Sequence, residues 1–367
     1  MNSILRISVR IILLVFPLLT GCGGLIVLNE TTPPVSSTSA AQYHAYGDSI
    51  TFGETLKDPL AQSYPALTAE FEKVTFANNA LEGDQSCDVA ARQIFPNGDS
   101  PTLSAHPTYS LLIGTDDANG EGTGAYESVF MVCHRAVISW FAIPKEYKSL
   151  ATGSGVTSTG PGELDTANQW GAWTTGGFGA TVSFAITTST AGPIYAWPIV
   201  DDSSPATFTY ALDGSVLGSS SAKTTPEIAT HNGTTRSLGF LRLAQVPPGP
   251  HIVTFTQTNQ GANGMSIVGI GTPAGTTSGK LPIVLAGTIP FQLHGSSGSG
   301  CTVSDAPCLE YNKDIEADVA EFAGDGLDVR LFDTRKYMFG TQAEMNDAYH
   351  PNALGQREIS HAVEAAW

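Results

Sequence analysis

The stretch Tyr43-His44-Ala45-Tyr46-Gly47-Asp48-Ser49-Ile50-Thr51 sets the fold of this 367-residue chain. Residues 43–46 read as a short strand, and Gly47 lets the backbone turn sharply where it ends. In open α/β sheets, ligands bind outside the carboxyl ends of the strands. A serine at that point stands exposed above the sheet. Gly-Asp-Ser alone is only three common turn residues, so its weight depends on what surrounds it.

Outward from that stretch, short apolar runs alternate with helical ones. A helix is expected over residues 64–71 and a second strand over 74–77. Residues 109–113 (YSLLI) read as a fully buried third strand. A long helix follows over about 125–141 and ends before Pro144. Much later, residues 281–286 (LPIVLA) read as a buried strand, 310–322 as a helix and 327–332 as a fifth strand. A final helix is expected over 351–366, with Pro351 at its start, where the missing N–H costs nothing. Strands alternating with helices argue for a parallel sheet covered on both faces.

Residues 151–277 have another texture, dense in Gly, Thr and Ser. Val182, Phe184 and Ile186 share one face of a strand, as do Tyr195, Trp197 and Ile199, then Phe208, Tyr210 and Leu212, then Val253 and Phe255. Asp213-Gly214 and Pro247-Pro248-Gly249-Pro250 mark turns. This pattern indicates a β-sandwich inserted into one α/β domain, whose two parts are residues 41–150 and 278–367.

Three further blocks follow strands of the same sheet. Asn78-Asn79-Ala80-Leu81-Glu82-Gly83 comes after the second, and Gly114-Thr115-Asp116-Asp117 after the third. Asp347-Ala348-Tyr349-His350-Pro351 lies before the last helix. All four blocks converge on one rim. A serine hydroxyl is a poor nucleophile until a base takes its proton, and histidine has the pKa for that work. A carboxylate three residues before the histidine can hold its tautomer and stabilise its charged form. The alternative is that Asp347 caps the last helix and His350 is merely exposed.

This order of blocks resembles the SGNH subgroup of the GDSL hydrolases, over residues 41–143 and 278–367. The resemblance implies a flavodoxin-like three-layer α/β/α fold and cofactor-free ester hydrolysis through an acyl-enzyme. It implies that Ser49 attacks, that His350 acts as base and then acid, and that Asp347 orients His350. The backbone N–H groups of Ser49 and Gly83 would donate to the oxyanion. The family's third donor is an asparagine side chain, and Asp116 stands at that position here. A carboxylate donates only when protonated, and its charge repels a forming oxyanion. Three accounts stay open: burial keeps Asp116 protonated, Asn119 or another group donates instead, or the site is weakened. Thr51, Asn79 and Asp117 either support the site or make local backbone bonds.

Residues 1–22 read as a targeting segment. Arg6 and Arg10 precede an apolar stretch, 11–19, shorter than the ~20 residues that span a bilayer. Leu19-Thr20-Gly21-Cys22 resembles the bacterial lipobox, which implies cleavage before Cys22 and acylation of its thiol. The mature protein would then be exported and lipid-anchored to a cell-envelope membrane. An ordinary secretory signal with an incidental cysteine is the alternative. Residues 23–40, rich in Ser, Thr and Pro, read as a tether. Cys87, Cys133, Cys301 and Cys308 remain, an even number in an exported chain, which suggests disulfides. Cys301 and Cys308 flank one short loop and form the first expected pair; Cys87 and Cys133 form the second. No Cys-x-x-Cys or histidine cluster has metal-site spacing, so no structural zinc is expected; no cofactor is expected either. The net charge of −17 offers no counterion-release energy against phosphate backbones, which argues against a nucleic-acid partner.

The inserted segment loosely resembles carbohydrate-binding modules of the galactose-binding, jelly-roll kind. The resemblance rests on its alternating strands and on the turn Val246-Pro247-Pro248-Gly249-Pro250-His251. It implies an acylated glycan or cell-envelope ester as substrate. Trp170, Trp173 and Trp197 could stack on sugar rings or fill the sandwich core. His44, His106, His134, His231, His251, His294 and His361 read as structural or surface residues. The leading expectation is an esterase that removes acetyl or another short acyl group. An acyltransferase with the same residues, and a tethered glycan-binding protein with a weakened site, are the alternatives.

Overall fold

The computed structural model describes residues 42–94, 100–121, 126–165, 171–203, 206–223, 228, 234–260, 264–293, 301–302 and 306–367. Residues 1–40, expected to hold a targeting segment with Cys22 and a tether, lie outside the described residues, as do Trp170, His231 and His294.

The first part of the chain forms β1 (Tyr43–Gly47), α1 (Ser49–Phe52), α2 (Pro59–Gln62), α3 (Tyr64–Glu72), β2 (Phe76–Asn78), α4 (Ser86–Asp88), β3 (Thr108–Leu112), α5 (Thr115–Glu121) and α6 (Glu127–Ala142). The sandwich strands follow: β4 (Lys148–Leu150), β5 (Val156–Thr159), β6 (Gly162–Asp165), β7 (Ala172–Thr175), β8 (Thr181–Thr188), β9 (Gly192–Asp201), β10 (Thr207–Leu212), β11 (Ser215–Ser221), β12 (Arg236–Leu238), β13 (Leu241–Val246), β14 (Gly249–Gln257) and β15 (Ser266–Gly271). The chain then returns through β16 (Ile283–Gly287), α7 (Ala306–Gly324), β17 (Val329–Phe332) and α8 (Ala353–Ala366).

The five strands β2-β1-β3-β16-β17 form one parallel sheet in that order. Counted among themselves they run 2-1-3-4-5, a doubly wound order whose switch point lies between β1 and β3. Successive residues point to opposite faces, and helices cover both. Tyr109 and Leu111 of β3, with Val284 and Ala286 of β16, enter the core they share with α6 and α7. Leu112, Leu285 and Phe332 pack on the other face against Ile359 and Val363 of α8. Burial on both faces is why these strands read as continuous apolar runs.

The sandwich pairs a five-stranded sheet, β11-β10-β14-β8-β5, with a seven-stranded one. The latter runs β12-β9-β15-β7-β6, with β13 on β9 and β4 on β15. Its paired strands therefore begin at Lys148, ahead of residue 151. Val182, Phe184, Phe208, Val253 and Phe255 fill the space between the sheets. Asp213 (φ 50°) and Gly214 (φ 82°) close the β10–β11 hairpin with two left-handed residues, as a two-residue turn between twisted strands requires.

Strand β9 joins the two parts, and every residue in it is buried. Ile194 and Ala196 face the sandwich interior. Tyr195, Trp197 and Ile199 face the helices of the α/β part and join its core. Trp197 is therefore neither a sugar platform nor sandwich core, because helix α6 covers that side of the strand. It is fully buried, donates from Nε1 to Ser139 Oγ (2.9 Å) and meets Trp140 edge-on at 5.2 Å. Trp173 is half-buried against the sandwich core. Arg242 pairs with Asp325 at 2.7 Å, and Ser237 Oγ donates to Cys87 O at 2.8 Å, across the same seam. With the core continuous across the seam, calorimetry is expected to show one unfolding transition for both parts. Trp197→Ala should destabilise that transition by about 3–5 kcal/mol without splitting it.

Cys87 is joined to Cys133 and Cys301 to Cys308, with Cα separations of 4.9 and 5.2 Å. The first bridge ties α4, just past Gly83, to α6.

Candidate active site

Ser49 is the first residue of α1, directly above the end of β1. A Cβ on Gly47 would lie 2.2 Å from Leu112 O and 2.3 Å from Thr51 Oγ1, so no side chain fits there. Asp48 accepts from the Ile50 N–H (2.9 Å) and caps the short helix. Thr51 is fully buried and donates to Leu112 O (3.3 Å). Asn78 Nδ2 donates to Thr51 O (2.7 Å), and Gln356 Nε2 of α8 donates to Ile50 O (2.8 Å). The turn bearing Ser49 is thus held by both neighbouring strands and by the last helix.

His350 and Asp347 come from the loop that leads into α8. Asp347 Oδ1 accepts from the N–H groups of Tyr349 (2.8 Å) and His350 (2.7 Å), while Oδ2 lies 2.8 Å from His350 Nδ1. His350 Nε2 lies 3.1 Å from Ser49 Oγ. The three side chains form one continuous line. Asp347 is not the cap of the last helix. Asn352 is, accepting from Leu354 N–H (2.8 Å) and Gly355 N–H (3.2 Å). Pro351 pairs with Met345 in an isolated bridge, so α8 starts at Ala353 and not at the proline.

A residue that sequence reasoning missed completes this side. Glu54 Oε2 also lies 3.1 Å from His350 Nε2. Burial pushes the His350 pKa down, but hydrogen bonds to Glu54 and Asp347 outweigh it and raise it to about 9. Burial pushes Asp347 up, yet the bonds from His350 and the two backbone N–H groups hold it below the usual carboxylate range.

The opposite side is built by the segment after β2. Leu81 N–H donates to Gly47 O (3.3 Å), and Gly83 adopts φ 71°, which favours glycine. Asp117 accepts from the N–H (2.9 Å) and Oγ (2.7 Å) of Ser86 and so holds this loop. Gln93 Nε2 donates to Gly47 O (2.7 Å) and Asp84 Oδ2 (2.8 Å). Asn79 continues the ladder through its N–H to Ala45 O (2.8 Å). Asn119 Nδ2 points to Gln292 Oε1 (3.5 Å). Asp116, half-buried, heads α5, and Gln85 Nε2 donates to its backbone carbonyl (3.4 Å). No spacing rule signals Gln93 or Glu54, whose roles depend on how loops fold back.

Buried carboxyls crowd beneath the rim. Burial is the main cause raising Asp48 well above the usual range and Asp84 and Asp117 to about 7, and the charge of Asp116 adds to each. Among the described residues, no group of three or more His, Cys, Asp or Glu could hold a metal ion. A raised folded-state pKa contributes stability that is complete below the unfolded value and lost as pH climbs through the folded one. His350 acts in the same direction up to about pH 9. Asp347, Asp213 and Asp333, held low, lose their contribution only in stronger acid. The melting temperature is therefore expected to peak near pH ~4 and fall from there to about pH 9, as read by scanning calorimetry.

No protein-family model and no curated protein matches the chain. Solved structures do. A two-domain esterase active on acetylated mannans, crystallised with mannopentaose, is 12% identical, with a TM-score of 0.36 over 64% of this chain and 91% of that one. A family 35 carbohydrate-binding module from Cellvibrio japonicus is 16% identical, with a TM-score of 0.27 over 37% and 98%. A family 6 module of a laminarinase from Zobellia galactanivorans is 17% identical, with a TM-score of 0.25 over 34% and 94%.

Proposed function

We propose that the chain is a serine esterase acting on acetyl or other short acyl esters, with an acylated glycan as the substrate class. The observation that carries this reading is the line Asp347–His350–Ser49, at 2.8 and 3.1 Å, standing beside the switch point of the parallel sheet. Ser49 Oγ attacks the ester carbonyl carbon while its proton passes to His350 Nε2. Asp347 holds the Nδ1 proton and balances the imidazolium. The backbone N–H groups of Ser49 and Gly83 receive the oxyanion. The imidazolium returns the proton to the departing alcohol, leaving the acyl group on Ser49. Water, deprotonated by His350, then attacks the acyl-enzyme and releases the acid.

A fluorophosphonate is expected to add to Ser49 of the full chain, read by peptide mass, and acetate release from an acetylated polysaccharide is expected to stop with it. Labelling without acetate release would leave the nucleophile and remove the glycan ester. Acetyl appearing on an added sugar acceptor instead of in solution would make the protein an acyltransferase. Asp116, a carboxylate where a donor is wanted, favours a second reading: a weakened catalyst that serves as a glycan binder. Export and anchoring through an acylated Cys22 belong to the same proposal. A diacylglyceryl adduct on Cys22 in membrane-extracted protein is the expected mass.

A further inference from the structure

One nitrogen of His350 has two partners. Nε2 lies 3.1 Å from Ser49 Oγ and 3.1 Å from Glu54 Oε2. The two contacts need opposite protonation. Taking the Ser49 proton requires the lone pair of Nε2, whereas an ionised carboxylate only accepts and must be met by Nε2–H.

The second contact is built into the chain. Glu54 sits between Gly53 (φ 88°) and Thr55 (φ 69°). A left-handed, β-branched threonine is strained unless its surroundings hold it there. Asn346, from the loop that carries His350, donates from Nδ2 to Thr55 O (3.2 Å) and Thr55 Oγ1 (2.9 Å). The Asn346 N–H donates to His350 O (2.9 Å), and the Glu54 N–H donates to Ser49 O (3.0 Å). The turn bearing the nucleophile and the loop bearing the base are stitched together around Glu54.

Resting on the esterase reading above, we propose that Glu54 is a proton gate. Its carboxylate takes the Nε2–H of His350 in the resting site, and Ser49 can pass on its proton only after that carboxylate has turned away or been displaced by substrate. The Glu54 side chain is 38% exposed, so it has room to turn to solvent. It acts through His350 and is a positioning residue. The groups facing His350 are Glu54 at Nε2, Asp347 at Nδ1, Asp48 from the β1–α1 junction, and the ring of Tyr349 at 6.4 Å. Glu54 and Asp347 each favour the imidazolium, in keeping with a His350 pKa raised to about 9, while burial holds Asp48 well above the usual carboxylate range. The base is therefore blocked in most molecules at neutral pH, and hydrolysis should climb toward alkaline pH.

The test compares the full chain with Glu54→Gln, using ¹³C-histidine NMR to follow His350 and p-nitrophenyl acetate to follow kcat/KM against pH. In the variant, the His350 midpoint and the acid limb of kcat/KM are expected to move down together by about one unit or more, raising the rate at pH 7 about tenfold. Glu54→Ala should do the same, with the melting temperature as a control for folding. A His350 midpoint that stays in place, or a rate that falls at every pH, would overturn the gate. If the unaltered chain hydrolyses no ester, the esterase reading fails while the His350 titration still decides the contact.

Discussion

Ser49→Ala is expected to abolish ester hydrolysis, lowering kcat by about 10⁴-fold or more, and His350→Ala is expected to match it. The double variant should be no worse than either alone. The reason is geometric. On the proposed mechanism Ser49 Oγ and His350 Nε2, 3.1 Å apart, work as a unit: without the base the hydroxyl is a weak nucleophile, and without the hydroxyl the base has nothing to activate. Asp347→Asn should lose less than either, because an asparagine oxygen still accepts the two backbone N–H bonds that Oδ1 accepts now. Initial rates with p-nitrophenyl acetate, beside melting temperatures near that of the unaltered chain, measure all four. Ser49→Ala retaining a tenth of the activity would place the nucleophile elsewhere.

What sequence could show follows from what each signal depends on. The parallel strands are legible because burial on both faces leaves an unbroken apolar run, as in residues 109–113, and the observed Thr108–Leu112 differs by one position. The first three rim blocks are legible because each sits where a strand stops, and the 2-1-3-4-5 order then gathers strand ends in space, whereas Asp347 and His350 precede the last helix. The final helix is read two residues early because Pro at a first helical position is a common signal, while Asn352 makes the better cap. Strand β9 shows the limit of alternation. A period of two tells which residues share a face, not what covers that face, so Trp197 reads the same whether it meets sugar, sandwich or helix α6. Glu54 is hidden for a different reason: it reaches His350 through a strained turn held by Asn346, and no local pattern encodes that fold-back.

Asp116→Asn is expected to raise kcat by about 10- to 100-fold while leaving KM nearly unchanged. The gain has two sources. It removes a negative charge from the rim where, on the proposed mechanism, the reacting oxygen becomes anionic, and it supplies an amide N–H that can donate to that oxygen. Both act on the transition state and hardly on the bound ester, so kcat moves and KM does not. The charge of Asp116 also lifts the buried Asp48, Asp84 and Asp117, so its removal should lower their pKa values and reduce the loss of melting temperature toward pH 8. The pH profile distinguishes a handicap from a device. If Asp116 is a handicap, the variant is faster across the whole range. If a protonated Asp116 is the third donor, the unaltered chain loses rate as that carboxyl ionises, and Asp116→Asn removes that loss while changing little at lower pH.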